Sequence, residues 1–267
     1  VFVMDALGAS HRAHASISGV VEFAPVACLG LQCQKELDSL NAALNQPAEP
    51  VVAIVGGAKV DGKLQALKRL SQLAQTLIVG GGIANTFLAA QGFNVGKSLH
   101  DPELVPAAQD MLDAAEQNGC EIPLPIDVIV APSLNDGRHS ESTSVADLSN
   151  EDMILDIGSQ TREVYHQKIA QSETIIWNGP VGAFEFPPFD AGTRAIASSV
   201  VGSRAFSVAG GGDTLAALER FGGIDQISYV STGGGAFLEY VQRHSLPGFA
   251  ALQNHAERAF MHGAKAV

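Results

Sequence analysis

From residue 51 onward, short apolar runs rich in β-formers alternate with longer stretches of helical periodicity. The strand candidates are 51–55, 76–79, 127–131, 174–178, 205–209 and 227–231. Their apolar residues are nearly continuous instead of alternating, as in parallel strands covered on both faces. Helical patterns occupy 63–75, 83–91, 102–118, 162–171, 192–199 and 214–221, with Leu64, Leu67 and Leu70 marking one face of the first. Strands alternating with helices imply βαβ crossovers. The expectation is an α/β chain whose doubly wound, mostly parallel, six-stranded Rossmann-like sheet carries helices on both faces.

Four of these strands run into glycine turns: Gly56-Gly57-Ala58-Lys59, Gly80-Gly81-Gly82, Gly210-Gly211-Gly212-Asp213-Thr214 and Ser231-Thr232-Gly233-Gly234-Gly235. A turn without side chains lets backbone amides approach an anion, and a following helix adds its positive N-terminal end. Ligands on open α/β sheets bind at the carboxyl ends of the strands. Several such turns on one sheet, with lysines and an aspartate among them, point to a polyphosphate site.

Upstream, 34–44 reads as a helix with Leu37, Leu40 and Leu44 on one face, closed by Pro47 and Pro50. Residues 1–30 therefore belong to something other than the sheet domain. Val1-Phe2-Val3-Met4-Asp5 reads as the middle of a strand, so the chain is expected to begin inside a domain. After Pro247-Gly248 a short amphipathic helix is expected.

The net charge of -12, without any Lys/Arg cluster, disfavours nucleic-acid or anionic-membrane partners. Three cysteines at Cys28, Cys33 and Cys120 have no Cys-x-x-Cys spacing, so neither a disulfide framework nor a zinc site is expected. No apolar run reaches the ~18 residues of a membrane span, and no secretory leader is recognisable, so a cytoplasmic setting is expected.

Gly57-Ala58-Lys59-Val60-Asp61-Gly62-Lys63 satisfies the Walker A spacing up to its last position. Leu64 stands where a hydroxyl must hold magnesium, so the match fails on chemistry. Met153-Ile154-Leu155-Asp156 resembles a Walker B strand only superficially. Lys59 and Lys63, four residues apart at a helix start, can converge on one phosphate chain or remain solvated. Gly80-Gly81-Gly82-Ile83-Ala84-Asn85 is no dinucleotide fingerprint, because Asn85 occupies the third glycine position; it suits a flat platform for a base or simply a helix start. Trp177 reads as core. Glu185, between Phe184 and Phe186, suits a ribose hydroxyl or is an ordinary exposed acid. Asp213 can give one oxygen to Mg²⁺, or only cap its helix. Near the start, Arg12 between His11 and His14 suits a carboxylate or phosphate better than the histidines suit a metal.

The stretches DALGASHRAH, VAIVGGAKVDGK, LIVGGGIANTF, WNGPVGAFEF, SVAGGGDT and ISYVSTGGGAFLE, in this order and spacing, resemble the phosphoglycerate kinase family. The resemblance implies two domains joined by a helix. In that reading 1–30 is a remnant of the acid-substrate domain, 31–50 the interdomain helix and linker, and 51–232 the nucleotide domain. Residues 233–267 would be a hinge segment and a C-terminal helix returning to the first domain. It implies Lys59, Lys63 and Gly212 as catalytic residues, with Lys59 following the transferred group. Gly57, Lys63, Gly81, Gly82, Gly179, Glu185, Gly211, Gly212, Asp213 and Thr214 would bind ADP or ATP, Asp213 would hold Mg²⁺, and Arg12 would face the phosphoglycerate. The implied reaction is reversible phosphoryl transfer from 1,3-bisphosphoglycerate to MgADP, giving 3-phosphoglycerate and MgATP, by a hinge-bending monomer. Leu7 and Gly62 depart mildly from the family pattern. A larger departure is that the family's Arg-x-Asp-x-Asn and Ser-His-x-Gly-Arg-Pro segments have no counterpart, so this chain is expected to bind nucleotide and turn over poorly. A non-catalytic nucleotide module derived from the kinase domain is the competing reading, and an unrelated Rossmann dehydrogenase a distant third.

Overall fold

The computed structural model describes residues 1–243 and 245–261. It opens with β1 (Phe2–Met4), α1 (Leu7–Ser10), α2 (Val20–Phe23), β2 (Ala27–Leu29) and the longer helix α3 (Leu31–Leu44). Next come β3 (Val51–Gly57), α4 (Leu64–Leu73), β4 (Thr76–Gly81), α5 (Gly82–Ala90) and α6 (Val105–Gln117). They lead to β5 (Asp127–Ala131), β6 (Glu141–Ser144), β7 (Met153–Ile157), α7 (Ser159–Ala170), β8 (Thr174–Asn178) and α8 (Ala191–Gly202). The last elements are β9 (Phe206–Ala209), α9 (Gly212–Phe221), β10 (Tyr229–Val230), α10 (Gly235–Arg243) and α11 (Pro247–Met261).

The central sheet has five parallel strands in the order β10-β9-β8-β3-β4. Both faces are covered, which explains the unbroken apolar strands. Val51, Ala53 and Val55 face one way, into a core shared with Leu40 of α3 and Leu67 and Leu70 of α4. Val52 and Ile54 face the other, against Tyr165 and Ile169 of α7 and Ile196 and Val200 of α8.

Six strands were expected, and the sixth is misplaced. The 127–131 strand is β5, which pairs antiparallel with β6 and β7 in a separate three-stranded sheet. Its apolar residues are as continuous as those of a parallel strand because they fill cores on both sides, with Val128 and Val130 in one and Ala131 and partly buried Ile129 in another. β6 is Glu141-Ser142-Thr143-Ser144, too polar to register as a strand. Asp127 at the start of β5 also caps α7 from a distance, accepting from the Gln160 and Thr161 amides at 3.0 and 2.8 Å.

Residues 1–30 form the parallel pair β1–β2 with two short helices. Asp5, just after β1, accepts from the Cys33 amide at 2.9 Å and so caps α3, whose own N-cap glycine has no side chain to offer. Helix α11 packs on α2, β2 and the turn Ala15–Gly19. Of the 233–267 segment, residues 244 and 262–267 lie outside the described residues. The three cysteines are free, Cys28 exposed and the other two buried.

The strand order reverses between β3 and β8: the chain leaves β3 towards β4 and later returns on its other side for β8, β9 and β10. Such a reversal opens a crevice at the carboxyl edge. Here the two strand ends converge so tightly that a β-carbon on Gly56 would collide with the Pro180 carbonyl, and one on Gly179 (φ +99°) with the Gly56 carbonyl. Gly56→Ala is therefore expected to cost on the order of 3 kcal/mol or more, read from urea unfolding. Gly62, with nothing within 4 Å of its β-position, is the control. A Gly56→Ala protein as stable as Gly62→Ala would contradict the packing.

Candidate functional site

Three strand ends meet at this edge and are tied by one hydrogen-bond network. After β3 the chain makes the turn Asp61–Lys63 and enters α4. This turns the half-buried Lys63 back on its own strand, where its ammonium donates to the Gly56 carbonyl at 2.5 Å and to Asn178 Oδ1 at 3.0 Å. Burial holds the Lys63 ammonium below the ordinary lysine value, and the Asp213 carboxylate acts in the opposite sense. Asn178, the last residue of β8, donates from Nδ2 to the Gly210 carbonyl at 2.8 Å. Thr214 Oγ1 donates to the same carbonyl at 3.0 Å and accepts from the Gly179 amide at 2.7 Å. Lys63, β8 and the turn before α9 thus form one unit.

At the start of α9, the Gly212, Asp213 and Thr214 amides are the first of the helix, and the hydrogen-bond ladder begins with Leu215 donating to the Gly211 carbonyl. Such unpaired amides, with the helix dipole, favour an anion. Asp213 projects from this same turn into the wall of a cavity of about 520 Å³ that follows the carboxyl edge. Gly57, Gly81, Gly82, Leu99, Leu134, Met153, Leu155, Val181 and Glu185 also line it. The size and the mostly apolar wall suit a ligand with a flat, weakly polar part and a few fixed polar ends.

Among the residues singled out from sequence, Gly57, Gly81, Gly82, Glu185 and Asp213 stand in the cavity wall. Lys63, Gly179, Gly211 and Thr214 are not in it; Lys63, Gly179 and Thr214 belong to the network, and Gly211 is the N-cap of α9. Gly212 faces open space. Lys59 is exposed and, among the described residues, has no ion-pair partner, although its neighbour Ala58 lines the cavity. Arg12 is exposed beyond α1 and is not in the wall.

Two functional candidates escaped the sequence reading. Asn178 had only its place at the end of an apolar strand to mark it. Asp156, set aside as a chance Walker B resemblance, is buried in the cavity wall, and burial pushes its carboxyl up to about 7. Gly210 proves to be a packing residue, since the Phe237 ring leaves its β-position no room.

Among the described residues no three His, Cys, Asp or Glu side chains gather into a metal site. The single exposed carboxylate of Asp213, beside the unpaired amides that open α9, nevertheless fits an ion that takes one or two carboxylates and completes its shell with phosphate and water.

A family model described as phosphoglycerate kinase matches residues 1–244. The phosphoglycerate kinase of Legionella pneumophila (strain Paris) is 52% identical over 257 residues, which is 96% of this chain and 65% of that protein. The one from Nitratidesulfovibrio vulgaris is 50% identical over 258 residues, 97% of this chain and 66% of its own length. Among solved structures, the phosphoglycerate kinase of Coxiella burnetii superposes with a TM-score of 0.92 at 46% identity, covering 96% of this chain and 66% of that one. The Pyrococcus horikoshii enzyme gives 0.83 at 30% identity, covering 96% and 64%. The chain thus spans about 65% of the length of the relatives it matches.

Asn178→Ala leaves the buried Gly210 carbonyl and the Lys63 ammonium each one partner short. It is expected to lower stability by about 1–3 kcal/mol, read from urea midpoints. An unchanged midpoint would contradict the network.

Proposed function

The chain belongs to the phosphoglycerate kinase family, and from that premise we propose that it supplies the nucleotide side of a reversible phosphoryl transfer. The reaction moves a phosphoryl group between the acyl phosphate of 1,3-bisphosphoglycerate and MgADP. The observation that carries this reading is a single cavity whose wall holds both Glu185 and Asp213, with the first turn of α9 beside it.

In this reading the base lies on Gly81 and Gly82 against Leu99 and Leu134, and Glu185 takes a ribose hydroxyl. The phosphates reach the amides of Gly211, Gly212, Asp213 and Thr214. Thr214 contributes its amide only, since its hydroxyl is committed to Gly179 and Gly210. Asp213 would hold Mg²⁺, which when bound neutralises phosphate charge. Lys63 is held rigidly and places a fixed positive charge at the strand edge. Lys59 is exposed and free to accompany the phosphoryl group as it moves. Such transfer depends on positioning and charge neutralisation, not on a covalent intermediate.

The acid substrate is held, in this reading, by Arg12 together with segments of the relatives' length that this sequence does not span. Bringing the two sides together needs a hinge. The stretch 232–235 suits that role. Glu36 of α3 accepts from Ser231 Oγ and from the amide and hydroxyl of Thr232, and so anchors its near end. No described helix is long and apolar enough to cross a membrane.

Calorimetric titration with MgADP tests the reading: saturable binding at or below millimolar concentration is expected, and none at millimolar would sink the site. In the complete enzyme Lys59→Ala should lower kcat on the order of 100-fold with little change in nucleotide KM. A variant that keeps its rate and loses affinity would refute the role of Lys59.

A further inference from the structure

Asp156, next to last in β7, is the one buried acid in the cavity wall, 2% exposed. Its Oδ2 accepts from the Gly192 amide in the first turn of α8 at 2.7 Å, and its Oδ1 from the Ile157 amide at 2.9 Å. A β-carbon on either Gly182 or Gly192 would collide with Oδ1. The carboxyl group therefore fills the gap between the start of α8 and the turn 181–185, which carries Glu185. That turn is fastened to the same two elements around it. The Val181 and Gly182 amides donate to Thr193 Oγ1 of α8 at 3.2 and 3.3 Å, and the Ala183 amide to the Leu155 carbonyl of β7 at 2.8 Å.

We propose that Asp156 is a positioning residue for the nucleotide, setting the 181–185 turn, and that it takes up a proton when the cavity fills. The proposal rests on the nucleotide reading of this site.

Charges of both signs surround Asp156. Asp190 precedes α8, and Glu185 and Asp213 share the cavity wall. Arg162 of α7 opposes them, whereas Arg194 of α8 is paired to Asp190, with Arg220 of α9 also 3.5 Å from that carboxylate. Lys97 of the wall is paired to Glu151. Burial is the main cause of the raised value of about 7, with Asp190 adding to it, while the Gly192 and Ile157 amides and Arg162 pull the other way. A bound nucleotide replaces cavity water with an apolar base and brings anionic phosphates, and both disfavour the ionised carboxyl further. Binding thus raises the proton affinity of Asp156. By linkage, nucleotide affinity is then highest while the group is neutral and falls as pH rises through about 7.

The test is calorimetric titration of MgADP into the wild-type chain and Asp156→Asn at pH 6, 7 and 8, in buffers of different ionisation heat. The variant carries the nucleotide's own ionisation and serves as the reference. Wild-type affinity should fall about fivefold more than the variant's between pH 6 and 8, with extra proton uptake at pH 7. Superimposable pH profiles and equal proton uptake would overturn the proposal while leaving the nucleotide site standing. No MgADP binding by the wild type at any pH would overturn the site reading and this proposal with it. Should the variant not fold, the wild-type Asp156 carboxyl ¹³C titration decides. Its midpoint should move upward with MgADP, and an unmoved midpoint refutes the proton coupling.

Discussion

The approach of β3 to β8 without side chains between them is the constraint on which the rest depends. The Gly56 and Gly179 backbones touch at the place where the strand order reverses. Only with that closeness can the Gly56 carbonyl and Asn178 share one lysine, and Asn178 and Thr214 share the Gly210 carbonyl. The cavity lies along this edge because strand ends that diverge from a tight contact leave a crevice beside it.

A chain of net charge -12 would repel a nucleotide as a whole. The proposed binding therefore has to be local. A helix start with three unpaired amides and a lysine fixed at two points supply positive potential over a few ångströms, where long-range repulsion is screened. Asp213 at the same turn would repel a phosphate on its own, and in the proposed reading it would share that phosphate with a cation. Asp156 sits deeper and contributes shape more than charge while it is neutral.

The parallel sheet was legible because β3, β4 and β8 are unbroken apolar runs, and the glycine turns after β3, β4 and β9 were legible as the edge along which the cavity runs. The individual jobs of those glycines were not. Gly56 and Gly179 make room for backbone and Gly210 for Phe237, partners far away in the chain. β5 was assigned to the wrong sheet because burial on both faces gives an antiparallel strand the same apolar run as a parallel one. α10 was read only as a hinge run, since Gly233, Gly234 and Gly235 mask the Leu and Phe pattern behind them. Asn178 and Asp156 were invisible for a shared reason: their meaning lies in Lys63 and Gly192, 115 and 36 residues away.

In the proposed reading one cavity along this edge holds a nucleotide from Glu185 to the start of α9. Amide hydrogen exchange with and without saturating MgADP tests it most directly. Slowed exchange is predicted at 211–215 and 181–186, with no change at 166–173, beyond the opposite edge of the sheet. Bound MgADP that leaves exchange at 211–215 unaltered would contradict the account.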